Sequence, residues 1–167
     1  VFGLPRIIGR AEDIQWMLDA VPNKHNGLTF CAGSFSAGEH NDCVAMAKQF
    51  ADRTHFVHLR SCYIFPNGNF TEASHLGGRG HLIELCRIFE KAEQEGKCNS
   101  GRRLPMRVDH GMTFTDEPGG VFDESNLGHN AGYTLLGRMF AMGQIQGVIA
   151  TVDDELGIEY KQPGFYD

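Results

Sequence analysis

Thr54-His55-Phe56-Val57-His58-Leu59-Arg60 is the stretch that decides the fold. Successive side chains of an extended chain point to opposite faces, so Thr54, Phe56, His58 and Arg60 share one face and His55, Val57 and Leu59 the other. Upstream, Asn41 or Asp42 can cap a helix over residues 43–51, with Val44, Ala47 and Phe50 on its buried face. Before that, Leu28-Thr29-Phe30-Cys31 reads as a short strand running into the small residues Ala32-Gly33-Ser34. Residues 11–21 place Ile14, Met17, Leu18 and Val21 at helical spacing, with Glu12 and Asp13 in the first turn where the helix dipole favours acids.

Downstream of Arg60 a long loop rich in Asn, Gly and Pro leads to a helix over residues 82–95, with Leu82, Leu85, Ile88 and Phe89 inside, Glu and Lys outside, and Gly96 placed to end it. Residues 104–109 predict a third strand. A Gly-rich loop at 111–132 precedes a helix through Leu135, Leu136, Met139 and Phe140, and Val148-Ile149-Ala150-Thr151-Val152 predicts a fourth, terminal strand. Strands alternating with helices of 10–18 residues are the pattern of βαβ units and a parallel sheet. Four such units make half of a (β/α)8 TIM barrel, whose whole needs at least about 200 residues. The chain therefore reads as α/β, one partial domain over residues 1–167. Val1 enters directly into Phe2-Gly3-Leu4-Pro5-Arg6, a loop in mid-course.

With 41% hydrophobic and 22% charged residues, the composition is that of a globular protein. Fifteen Lys and Arg against twenty-one Asp and Glu give a net charge of -6, the wrong sign for a protein that works on phosphate backbones or anionic lipid. Apolar runs such as Gly147-Val148-Ile149-Ala150 fall far short of the roughly 20 residues that span a bilayer. Nucleic acid and membrane are thus not the expected partners. Five cysteines at irregular intervals, with no CxxC, give neither a disulfide framework nor a zinc-ribbon spacing, and a reducing, cytoplasmic setting is expected.

Three predicted strands end on a metal-capable side chain: Cys31 before Ala32-Gly33-Ser34, His58 before Leu59-Arg60-Ser61, and Asp109 before His110-Gly111. In a barrel such ends converge on one mouth, so a thiolate, an imidazole and a carboxylate can meet at one divalent ion. Mixed S, N and O ligation suits Mn, Fe(II), Co or Zn better than Ca or Mg. His110, at the strand-to-loop junction, is placed to act as acid or base near neutral pH. Arg60 and Arg138 are candidates to pair with a substrate carboxylate, which a guanidinium matches bidentately. Each residue taken singly also has an ordinary structural explanation: a buried strand Cys as core filler, an inward His as a hydrogen-bonded core residue, an Arg in a solvated ion pair, and Tyr133 as a packing residue.

Six segments in order, Phe2-Gly3-Leu4-Pro5-Arg6-Ile7, Thr29-Phe30-Cys31-Ala32-Gly33-Ser34 with Asn41-Asp42, His58-Leu59-Arg60-Ser61, Glu72-Ala73-Ser74-His75-Leu76, Asp109-His110-Gly111, and Gly132-Tyr133 with Gly137-Arg138, resemble the mannonate dehydratase family of the xylose-isomerase-like barrel group. The resemblance covers nearly the whole chain and weakens after about Thr151. It implies the C-terminal half of a TIM barrel and a Mn(II)- or Fe(II)-dependent dehydration of D-mannonate to 2-dehydro-3-deoxy-D-gluconate in hexuronate breakdown. It implies Cys31, His58 and Asp109 as metal ligands and His110 and Tyr133 as the proton-transfer pair. A further His ligand is implied upstream of Phe2, so the partners expected are a sugar acid and the missing N-terminal half of the barrel, with homo-oligomerisation open. Departures from the pattern are Val108 where a Pro is usual, Gly77-Gly78-Arg79-Gly80-His81 after the His75 match, and an insert at residues 112–129. Two other readings share these residues: a sugar isomerase or epimerase of the same barrel group, and a non-catalytic half-barrel in which Cys31, His58 and Asp109 are merely buried.

Overall fold

The structure, a computed structural model, describes residues 7–112 and 132–159. It is a mixed α/β unit. A three-stranded parallel sheet is ordered β1 (Leu28–Cys31), β2 (Thr54–His58), β5 (Met106–Arg107). Helices α1 (Ala11–Ala20), α3 (Cys43–Phe50) and α4 (Leu82–Gln94) occupy the positions the apolar spacing predicts. Asp13 closes the start of α1 by accepting from the backbone N–H of Gly9 and Arg10, at 2.9 and 3.0 Å. Asp42 caps α3 by accepting from the N–H of Val44 and Ala45, at 2.9 and 3.0 Å.

The alternation in β2 sets the two faces of the sheet. Val57 and Leu59 are fully buried and join Phe30, Phe50, Leu85 and Phe89 in one core beneath α3 and α4, with Phe30 tilted against Phe35 and edge-on to Phe89 at 5.1 and 5.3 Å between ring centres. On the opposite face Cys31, His58 and Arg107 lie side by side in register, and none of them is fully buried. One face of the sheet thus holds the domain together and leaves the other for chemistry.

Three expectations change. Residues 148–152 are not a strand but part of the 22-residue helix α5 (Leu135–Leu156). Their β-branched run mimics a strand, yet Ala141, Ile145, Val148, Ile149 and Val152 recur at i, i+4, i+7, i+8 and i+11, a helical stripe that packs toward the core and α4. Thr151 satisfies its hydroxyl by donating to the Gly147 carbonyl at 2.9 Å. The fourth βα unit therefore has no terminal strand among the described residues. Second, the loop after Arg60 contains an antiparallel hairpin, β3 (Cys62–Ile64) with β4 (Phe70–Glu72), as well as a short helix α2 (Ala32–Ser36) earlier in the chain. Third, Glu90 of α4 does not stand in solvent: burial first, then the neighbouring Asp153 and Glu93 charges, push its carboxyl up to about 7.

Helix α5 is also long and apolar enough, by length and composition alone, to cross a membrane. Its core-facing stripe and the Arg87–Glu155 ion pair to α4, at 2.8 Å, are the marks of a helix docked on protein. The insert lies, from residue 113 onward, outside the described residues.

Candidate metal centre

The three strand-end residues meet. A sulfur of Cys31, a ring nitrogen of His58 and a carboxylate oxygen of Asp109 all lie within 4.8 Å of one another. Cys31 Sγ is 3.9 Å and His58 Nδ1 is 3.7 Å from Asp109 Oδ2. The cause is register: Cys31 and His58 are direct neighbours across β1 and β2, and Asp109 follows β5 by two residues. At Asp109 the chain leaves extended geometry with φ +58°, a left-handed value rare outside glycine.

The donor set fits a divalent transition ion. Ligands held at about 2.0–2.3 Å from one centre stand roughly 3–4 Å apart, which is the spacing observed between the Asp109 oxygen and its two neighbours. Burial pushes the His58 imidazole below its ordinary range, against the pull of the Asp109 charge, which keeps a ring lone pair available for coordination. Ser34 donates to Cys31 Sγ at 3.2 Å, and Arg107 donates to Asp109 Oδ1 at 2.8 Å, so both side chains are already oriented.

The rings of His110 and Tyr133 meet beside this cluster, tilted by 56° with centres 4.3 Å apart. The Tyr133 hydroxyl donates to Asp109 Oδ1 at 3.2 Å, and His110 Nε2 lies 3.9 Å from Asp109 Oδ2. Two glycines make this juxtaposition possible. Gly132 adopts φ +93°, and its carbonyl accepts from the Gly111 N–H at 2.7 Å, so the segment after Asp109 and the segment before Tyr133 touch backbone to backbone. At Gly137 any Cβ would come 1.9 Å from the Met112 carbonyl oxygen, so only glycine lets the start of α5 approach. Arg138, one residue on, lies over the Tyr133 ring at 5.8 Å and helps line, with Asp109, Met142 and Ile145, a cavity of about 1110 Å³ between β5 and α5. Arg60 is differently engaged: its guanidinium is bidentate on Glu72, with the Nε to Oε2 bond at 2.9 Å.

A family model described as D-mannonate dehydratase (UxuA) matches residues 1–158. The chain belongs to the D-mannonate dehydratase family. It is 39% identical over 158 residues to mannonate dehydratase 2 of Agrobacterium fabrum, covering 93% of this chain and 38% of that protein. It is 40% identical over 156 residues to a mannonate dehydratase of Saccharophagus degradans, covering 92% and 38% respectively. The chain thus spans about two-fifths of the length of the curated relatives it matches. The crystal structure of a mannonate dehydratase from Streptococcus suis serotype 2 superposes with a TM-score of 0.75 at 23% identity, over 100% of this chain and 45% of that one, a likeness of fold.

In this D-mannonate dehydratase family member, reasoning from residue types missed Glu72. It sits opposite Cys62 in the hairpin, accepts the Arg60 fork, and brings Oε1 to 3.6 Å from His110 Nδ1. A signal was present: Cys62-Tyr63-Ile64-Phe65, the turn residues Pro66-Asn67-Gly68-Asn69, then Phe70-Thr71-Glu72 is a hairpin pattern. The burial that would lower the Arg60 pKa is outweighed by the Glu72 hydrogen bonds and charge, which hold the guanidinium charged.

Proposed function

We propose that the full-length protein dehydrates D-mannonate to 2-dehydro-3-deoxy-D-gluconate, and that this chain is the C-terminal half of its (β/α)8 barrel, held in the cytoplasm where its free thiols persist. The observation that carries the reading is the convergence of Cys31 and His58, the ends of β1 and β2, with Asp109 just past β5, beside the touching rings of His110 and Tyr133. The names of the relatives support the substrate.

Cys31, His58 and Asp109 would hold Mn(II) or Fe(II), completed by ligands from outside this chain. Such an ion, when bound, draws electron density from the substrate's carboxylate and acidifies the C2–H bond. Loss of water requires one proton to leave C2 and one to reach the departing C3 hydroxyl, and His110 and Tyr133, both beside Asp109, would make these transfers. Arg107 and Ser34 keep Asp109 and Cys31 aimed while this happens. Glu72, fixed by Arg60, faces His110 Nδ1 and favours the ring orientation that turns Nε2 to the cluster. Arg138 would meet a substrate carboxylate, whereas the Arg60 guanidinium is taken up by Glu72 and would act through that carboxylate.

The test is conversion of D-mannonate by the full-length protein with Mn(II) or Fe(II) in D2O, followed by NMR. The expected product is the keto-deoxy acid carrying one solvent deuterium at C3, because the enol formed by elimination takes its proton there. A ketose or an epimeric acid formed without loss of water would replace this reading by the isomerase or epimerase one, and no turnover of any sugar acid would remove the enzymatic reading.

A further inference from the structure

One side chain beneath the site has no part in the chemistry above. His75 is 2% exposed, and its Nε2 lies 2.9 Å from the backbone carbonyl oxygen of Val108, to which the ring N–H donates. Val108 is the residue immediately before Asp109, where the chain bends to φ +58°. A non-glycine residue is uncommon in that region and persists where its surroundings hold it. The preceding carbonyl, that of Arg107, is used in the sheet, accepting from the Leu59 N–H at 2.7 Å. The Val108 carbonyl is the first to turn out of the β2–β5 pairing, and His75 is what receives it.

His75 is brought there by a segment tied to the other ligand strand. The Ala73 N–H donates to the Ser61 carbonyl at 3.0 Å, the Ser61 hydroxyl donates to the Gly77 carbonyl at 2.8 Å, and the Gly77 N–H donates to the Ser74 carbonyl at 3.0 Å. Ser61 is three residues beyond His58. The turn that carries His75 is therefore laced to the end of β2 while its imidazole grips the end of β5. Burial pushes the ring below the ordinary imidazole range, opposed first by the Val108 carbonyl and then by the Glu72 charge.

We infer that His75 is a positioning residue for the metal centre: its N–H holds the Val108 carbonyl and so fixes the bend that aims Asp109 at Cys31 and His58. The inference rests on the metal reading given above. Outer partners of this kind are worth 10–100-fold in metal affinity.

The experiment compares Mn(II) affinity, by EPR of the free ion, in the full-length protein and two variants chosen for reach. The side-chain amide nitrogen of Gln overlays the Nε2 position of a histidine, whereas that of Asn overlays Nδ1 and falls short of the Val108 carbonyl. His75→Gln is expected to bind within about threefold of the parent, and His75→Asn about 10–100-fold more weakly, at a temperature where both are folded. Phe89→Leu, a core change away from the site, separates affinity from stability: it is expected to lower Tm without weakening Mn(II) binding. Equal affinity of His75→Asn and the parent would overturn the inference, as would losses that merely follow Tm across all three variants. A parent that binds no Mn(II) would overturn the metal reading and the inference with it, a failure recognised because it precedes any substitution.

Discussion

Cys31→Ala in the full-length protein is expected to lose metal binding, substrate binding and turnover together. Only a thiolate at the end of β1 provides sulfur to the cluster, and it stands within 4.8 Å of the His58 and Asp109 donors. On the proposed reading a cation held there would bind the substrate's carboxylate and supply positive charge beside C2, so its loss would cost binding and chemistry at once. A fall in kcat/KM of more than about 10³-fold is expected, equivalent to roughly 4 kcal/mol of transition-state stabilisation. Cys43→Ala is the matched control. Cys43 is buried in α3, donates to the Ala32 carbonyl at 3.6 Å, and has its thiol pushed up to about 12 by burial and then by Asp42, so it has no thiolate to offer a metal. Metal analysis by mass spectrometry with steady-state kinetics decides: a Cys31→Ala protein with full metal content, or one no worse than Cys43→Ala, would contradict the assignment.

His110→Asn is expected to fail in the opposite manner, keeping bound metal and near-native KM while kcat falls about 10²–10⁴-fold, the usual worth of a positioned acid or base. His110 is not among the three clustered ligands, yet it is held between Glu72 and Asp109 and against Tyr133. Tyr133→Phe removes only the hydroxyl that donates to Asp109. A comparable drop in kcat assigns it a proton, whereas an unchanged rate leaves it as packing for the His110 ring. Full activity of His110→Asn on D-mannonate would remove the proposed proton transfer.

The parts of this arrangement that the sequence discloses are those governed by short periods. Alternation in residues 54–60 separates Val57 and Leu59 from His58 correctly, because a strand has a period of two and one buried face. The ends of β1 and β2 at Cys31 and His58 are paired directly, whereas Asp109 lies two residues past β5, where Arg107 and not Asp109 is level with His58. What stays hidden depends on pairing at a distance. The β3–β4 strands are three residues each and largely exposed, so they leave almost no hydrophobic pattern, and with them Glu72 escapes notice. His75 reads as a member of a matching string, and only the fold reveals the Val108 carbonyl in front of it. Helix α5 is misread at residues 148–152 because β-branched side chains carry a strand signal that the contact with α4 overrides.

The most direct measurement is anomalous diffraction at the manganese or iron edge from crystals of the metal-loaded full-length protein. One strong peak is expected within about 2.0–2.4 Å of Cys31 Sγ, an imidazole nitrogen of His58 and a carboxylate oxygen of Asp109. A loaded crystal with no peak at these three side chains, or with its peak at another set of ligands, would contradict it.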